Sequence, residues 1–364
     1  MKFHTTTLLL IASACMAEIP KPAFPCCPAE EGEHHSRPDA HASISVMGDH
    51  THAKGGLMLA YRYMHMHMDG MRSGTDRVSS SEVFAADGGY TVTPENMSME
   101  MHMFGLMYAP TNTLTLMLMA NYLETEMDHR LVTQMAANRI NGGATGFTTE
   151  SFGWGDLKLS ALYRFYLEEN RKAHFGLGIS IPTGSIDERD ALPSMMGPTQ
   201  QQMPAPMQLG SGTYDLLPSL TFVQQFEDWS WGAQANGIIR LEDENSNGYR
   251  HGHAFEAVSW AGYKLADWIG INGGLSYKNT GKLKGTQNDV NRLGPNGRSV
   301  TTAFNHNYGG ERIDVILGVN LLGTSGRREG HRIAADVRAP LWQDLNGYQL
   351  ETDWVLTLGW QKSF

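Results

Sequence analysis

From residue 55 to the C-terminus, apolar and polar residues alternate with a period of two. In the last stretch Trp354, Leu356, Leu358, Trp360 and Phe364 share one face, while Asp353, Thr357, Gly359, Gln361 and Ser363 share the other. Leu157, Leu159, Ala161, Tyr163 and Phe165 alternate with Asp156, Lys158, Ser160 and Arg164. Ile313, Val315, Leu317, Val319 and Leu321 alternate with Arg312, Asp314, Gly318 and Asn320. Successive side chains of an extended chain point to opposite faces, so the pattern predicts strands with one apolar face. Twelve are expected, near 55–68, 97–109, 112–128, 152–167, 171–181, 213–226, 229–241, 253–265, 268–280, 310–322, 330–339 and 351–364.

The connections alternate between long and short: 69–96 then 110–111, 129–151 then 168–170, 182–212 then 227–228, 242–252 then 266–267, 281–309 then 323–329, and last 340–350. An even strand count, with tight turns at one end and long loops at the other, predicts an all-β, transmembrane antiparallel barrel over 55–364, in the outer membrane of a Gram-negative bacterium. A soluble sandwich would also alternate. Loop asymmetry favours the barrel, as do Trp229, Trp231, Trp268, Trp354, Trp360 and Tyr108 near strand ends, where an aromatic girdle belongs. No run of eighteen apolar residues occurs, which excludes helical spans.

The N-terminus fits this destination. Lys2, the apolar stretch 8–12 and the small residues Ala12-Ser13-Ala14, with Ala17 as a second cleavage position, read as an export signal over 1–17. Cys15 is in place for a lipid anchor, although Ala12 stands where a larger aliphatic is usual. Residues 18–54, rich in Pro, Ala and His, are expected to form a periplasmic segment able to fold back as a plug. The segment WVLTLGWQKSF, ending at Phe364, looks like the signal by which the barrel-assembly machinery recognises its clients. Outer-membrane lipid and lipopolysaccharide complete the expected surroundings.

Composition narrows the function. A formal charge of −10 argues against nucleic acid, whose phosphates it would repel. No G-x-S-x-G, H-E-x-x-H or P-loop pattern is present, and no orienting residue joins His251, His253 and Ser246, so an enzyme is not expected. Methionine is the anomaly: there are 21, of which 17 precede residue 136 and none follows Met207.

Strand parity gives these methionines a place. With Leu57, Leu59, Tyr61 and Tyr63 facing lipid on the first strand, Met58, Arg62, Met64, Met66 and Met68 turn inward. On the second, Met97, Met99, Met101, Met103 and Met107 turn inward, and on the third Met117, Met119 and Met127 do so, with Met103 expected beside Met119 across the turn. Elsewhere the inward set is polar: Asp156, Lys158, Arg164, Arg240, Asp314, Arg332, Asp336, Arg338 and Asp353. Thioethers are soft ligands suited to Cu(I), and a ladder of weak sites lets an ion move on. Methionine also fills irregular space and makes an apolar wall.

A second cluster precedes the barrel: Cys26 and Cys27 within PCCP (25–28), His34, His35, His41 and the run Met47-Gly48-Asp49-His50-Thr51-His52, whose histidines and thiolates are of types that bind late first-row metals. His65, His67, Glu100 and His102, on the outward parity near the first long loop, form a candidate rim with Met68, Met71, Met97 and Met99, or a contact for lipopolysaccharide sugars. Met195, Met196, Met203 and Met207 place four more thioethers on loop 182–212, which is expected to fold over the mouth. The leading reading is passage or binding of copper or another soft metal ion, with no other cofactor. A channel for small apolar or aromatic compounds, and a plugged structural barrel, stay open.

The segments GDLKLSALYRF (155–165), SIPTGSIDERD (180–190) and PMQLGSGTYDLLPSLTF (206–222) resemble a family of bacterial outer-membrane proteins described as transporters or as MetA-like components of phenol degradation. The resemblance spans most of residues 45–364. It implies a barrel passing a small solute, with aromatic compounds among the candidates, and assigns no individual functional residue.

Overall fold

The computed structural model describes residues 37–86, 89–195, 197–294 and 297–364. The export signal, Cys15, Cys26, Cys27, His34, His35 and Met196 lie outside the described residues.

The wall is a meander of antiparallel strands: Leu57–Gly74 (β1), Tyr90–Tyr108 (β2), Leu114–Leu131 (β3), Gly146–Trp154 (β4), Leu157–Leu167 (β5), Arg171–Ile181 (β6), Asp215–Gln225 (β7), Trp229–Arg240 (β8), Ala254–Ala266 (β9), Ile269–Thr280 (β10), Gly310–Leu322 (β11) and His331–Ser363 (β12). Each pairs with its neighbour in sequence, except that β4 and β5 both pair with the same edge of β3. The last strand returns to β1, with Met58 opposite Ser363 and Tyr63 opposite Leu358.

Strand β12 cannot be one straight element. At ~3.3 Å per residue its 33 residues would reach roughly 110 Å, over three times the hydrocarbon thickness of about 30 Å. It doubles back at Gly347, whose φ of 62° lies in the left-handed region that glycine adopts without strain. One arm, 332–345, pairs with β11, and the other, 345–363, pairs with β1. The arms meet where Trp360 donates its indole N–H to His331 Nδ1 at 3.1 Å. A closed ring with every pair antiparallel needs an even number of staves. Counting β4 and β5 as one kinked stave and β12 as two, there are twelve.

Several strands run further than the hydrophobic pattern predicted. Asp69-Gly70 reads as a strand end, yet β1 continues to Gly74 through register shifts between Met68 and Met71. Bulges of this kind absorb extra residues without ending the ladder. The expected connection 340–350 is likewise mostly strand; Pro340, which lacks an N–H, sits beside a register shift opposite Asp314. Asp353 needs a correction. Met66 pairs with Val355 and Met68 with Thr352, which leaves Asp353 as the extra residue of a bulge. Its carboxylate reaches outward-facing His67 at 3.8 Å rather than the lumen.

Elsewhere parity holds. Leu59, Phe104, Leu106, Leu116, Leu159, Leu177, Leu275 and Leu317 are exposed on the outer face and form the lipid-facing belt. Arg164, Asp314, Arg332 and Asp336 are buried inside. Two short helices, Ser80–Ala85 (α1) and Gln134–Ile140 (α2), cap the long-loop end, α1 opening with a reciprocal Ser79–Glu82 capping box.

Residues 37–54 run through the lumen at the short-turn end and hydrogen-bond to inward side chains of many staves. Asn320 and Arg332 donate to the carbonyls of Pro38 and Ala42. Asp336 accepts from Ser45 N at 2.7 Å, His174 Nε2 lies 2.8 Å from the Gly48 carbonyl, and Thr115 accepts from His52 N at 3.0 Å. Ala42 and Val46 pack with Val223, Val258, Trp260 and Ile316, a small apolar core within a mainly polar interior.

Short turns of outer-membrane barrels face the periplasm. Epitope tags after residue 140 or 200 should therefore label on intact cells, and tags after 169 or 266 only on lysed cells. Equal labelling of both sets would contradict this orientation. Deleting Phe364, whose N–H donates to the Leu57 carbonyl at 2.8 Å across the closing seam, should lower the yield of heat-modifiable barrel while leaving export unchanged.

Candidate functional site

Two features occupy the long-loop half of the lumen: a methionine wall and a loop that folds into it. Methionine is unbranched and polarizable, so successive residues can pack without a fixed shape. Met58 stands opposite Met107, Met64 opposite Met101, Met66 opposite Met99 and Met68 opposite Met97 on β1 and β2. Across β2 and β3, Met107 opposes Met117 and Met97 opposes Met127. Met103 pairs with Asn121 and Met119 with Gly105, so the expected Met103–Met119 opposition is shifted by two residues. The turn at 109–113 is longer than Pro110-Thr111 alone and moves the register. The stripe is shared with other side chains: Thr115, Asn121, Leu123, Thr125 and His129 are also buried on β3, on the same parity.

Loop 182–212 enters the lumen where the wall kinks between β4 and β5. Asp156 Oδ1 accepts from Gly184 N at 3.0 Å and its Oδ2 from Ser211 N at 2.8 Å, stapling both ends of the loop. A Cβ on Gly184 would lie 2.7 Å from the Gly210 Cα, so the two strands of the loop approach too closely for any side chain there. Inside, Met203 and Met207 become almost wholly buried and pack with Met97 and Met127, with Met68, Met99 and Leu350 against them. Ala205 N donates to Gln287 Oε1 at 2.9 Å, and Gln287 Nε2 donates to the Thr302 carbonyl at 2.9 Å, tying this loop to the one between β10 and β11. A lower cluster joins Met58, Met107 and Leu162, with Met117 against it.

Above the upper cluster lies a cavity of about 360 Å³. Ile140, Phe147, Leu192, Val290, Leu293 and Val300 supply most of its apolar lining, and Met127 and Met207 belong both to it and to the methionine cluster. Thr149, Ser194, Gln201 and Asn291 add polar edges. His129 lies flat on Phe147, with ring centroids 4.6 Å apart and planes 1° from parallel. The cavity is within the usual size range for small-ligand sites, which are mostly apolar with a few placed polar groups.

The outward set stays apart from this site. His65 lies 3.6 Å from Glu100, and His102 Nδ1 lies 2.8 Å from the Tyr61 hydroxyl. Met64, Met66, Met99, Met101 and Met117 are half-buried along the wall, and Met103 and Met119 are buried. His50 and His52 lie with His41 in the lumenal segment, away from the thioethers of the upper cluster. The cavity itself escaped sequence reasoning. Its walls come from loops 132–149, 189–207 and 290–302, whose mutual contact leaves no periodic signal.

Residues 80–307, more than half of the chain, match the family described as "Putative MetA-pathway of phenol degradation". The chain belongs to this family. Among solved structures, an outer membrane channel from Pseudomonas putida F1 superposes with a TM-score of 0.57 at 17% identity, covering 88% of this chain and 100% of that one. The P. putida toluene transporter TodX aligns at 0.43 and 11% identity, over 86% and 91%, and the KdgM porin at 0.38 and 10%, over 84% and 99%. No curated protein matches the sequence. The first of these structures, an outer membrane channel, shares the barrel fold of this chain.

Met203→Ala, which empties a buried thioether site, should destabilise the barrel by about 2–5 kcal/mol, whereas Met203→Leu should cost less than about 1.5 kcal/mol. Urea unfolding in lipid vesicles, followed by tryptophan emission, measures both. Equal effects of the two changes would show that loop 182–212 is not packed on the wall.

Proposed function

We propose that the barrel takes up small apolar solutes, aromatic ones foremost, by way of the loop-built cavity and the methionine wall beneath it. The observation that carries this reading is continuity. The cavity ends on Met127 and Met207, and these pack directly against Met97 and Met203, with Met68 and Met99 beside them. Thioethers make favourable contacts with aromatic rings while offering no fixed site, so a ring can move from one to the next. The Phe147–His129 stack offers a flat platform on which a further ring can lie in an offset arrangement. The family description, which names phenol degradation, points to the same solute class.

Purified protein should bind phenol or toluene in equilibrium dialysis. Val300→Trp, which fills the cavity, should reduce binding at least tenfold. Phe147→Ala should weaken it by about 0.5–1.5 kcal/mol, roughly two- to tenfold, more for aromatic than for aliphatic solutes. Unchanged binding in both variants would reject the cavity as the entry site.

The convergence of Met68, Met97, Met99, Met127, Met203 and Met207 also supports a soft-ion reading, with Cu(I) as cargo. Replacing Met97, Met127, Met203 and Met207 by leucine separates the two. A wall used only for its apolarity should keep solute binding, and a thioether ladder should lose copper binding.

A further inference from the structure

The lumenal segment carries a group of side chains that neither the cavity nor the methionine wall uses. His41, Asp49 and His50 each present a ligand atom, and these atoms all lie within 4.8 Å of one another. His50 Nδ1 is 2.6 Å from Asp49 Oδ1, and His41 Nδ1 is 3.9 Å from Asp49 Oδ2. The His52 ring stands edge-on to that of His50, with centroids 5.0 Å apart, and the His41 ring does the same from the other side at 5.2 Å. Three imidazoles and one carboxylate thus gather within a twelve-residue stretch inside the barrel.

We propose that His41, Asp49 and His50 bind a divalent transition-metal ion of the Zn²⁺, Ni²⁺ or Cu²⁺ kind, with His52 near enough to complete the ligand set. Metal–nitrogen and metal–oxygen bonds of ~2.0 Å in a tetrahedron hold ligand atoms roughly 3.3 Å apart. The separations of 2.6 and 3.9 Å, measured to the two Asp49 oxygens, fall either side of that value, and all three ligand atoms lie within 4.8 Å of one another.

The surroundings select the type of ion. Arg332 lies close by, but its guanidinium is held by Asn320, Gln361 and the Ala42 carbonyl, leaving the Asp49 oxygens to the histidines and to Ala42 N. A single carboxylate among imidazoles disfavours Mg²⁺ and Ca²⁺, which depend on several oxygen ligands. Nitrogen donors favour borderline ions. Protonation agrees: burial pushes His41 down to about 4 and His52 down to about 3, so both imidazoles are neutral near pH 7. Burial works to raise the Asp49 carboxyl, yet the hydrogen bonds of His41 and His50 and the electrostatic pull of its basic neighbours outweigh it and hold Asp49 well below the usual carboxylate range. An ion here would clip residue 41 to residues 49–50 and fix the conformation of the segment that crosses the lumen.

The site is independent of the solute reading and is tested without it. Full-length protein, folded in detergent and stripped with chelator, is titrated with Co²⁺ and Zn²⁺, beside His41→Ala/His50→Ala. The wild type should bind one more equivalent than the double variant and should show the visible absorption of tetrahedral Co²⁺ that the variant lacks. Both should remain heat-modifiable on gels. Identical stoichiometry and spectra would overturn the proposal. If the double variant does not assemble, Asp49→Asn decides: it keeps the shape and the acceptor for Ala42 N but removes the charge. Zn²⁺ affinity should then fall at least tenfold, and an unchanged affinity rejects the site.

Discussion

The bilayer core offers no water to an unpaired backbone group, so each N–H and C=O in the spanning region must find a partner within the protein. Most of the structure follows from that requirement. Closing the sheet pairs β12 with β1 and removes the free edge. All-antiparallel closure demands an even ring, which is why β12 folds back on itself and why β4 and β5 share the edge of β3. Bulges at Met68–Met71 and beside Pro340 let the strands keep pairing across residues that would otherwise end them.

Closure creates an interior, and the interior is filled in two chemically different ways. At the short-turn end, inward Asn272, Asn320, Arg332 and Asp336 would be costly if left unpaired in a dry lumen. Residues 37–54 meet them with backbone groups and short side chains. Along β1, β2 and β3 the inward residues are largely methionine, and toward the long-loop end loop 182–212 brings Met203 and Met207 to pack on them. Polar wall thus meets polar segment, and thioether wall meets thioether loop.

This division also separates the two candidate sites. The apolar loop cavity sits against the thioether cluster through Met127 and Met207, whereas the nitrogen and oxygen donors collect on the segment at the opposite end. Soft, weakly directional contacts suit movement of a solute. Directional ligands held within a few ångströms suit retention of an ion.

The alternation of side chains determined the strands, their inward faces and the twelve-stave ring, because a period of two is a local property that survives in any barrel. The glycine-rich segments around Gly184 and Gly210 could be quoted from the sequence, but their role, a backbone approach too close for a Cβ, depends on Asp156 drawing the loop inward. Local pattern also put Met97, Met99 and Met127 inside, yet the exact partners of Met103 and Met119 waited on the length of one turn. Asp353 shows the same limit, since a single bulged residue reverses the face of its side chain. The residue types of the His41–Asp49–His50 group were legible in the sequence, but the cavity and the close approach of those three side chains were decided by tertiary structure. Both are made by segments without a repeating pattern, brought together only once the ring had closed around them.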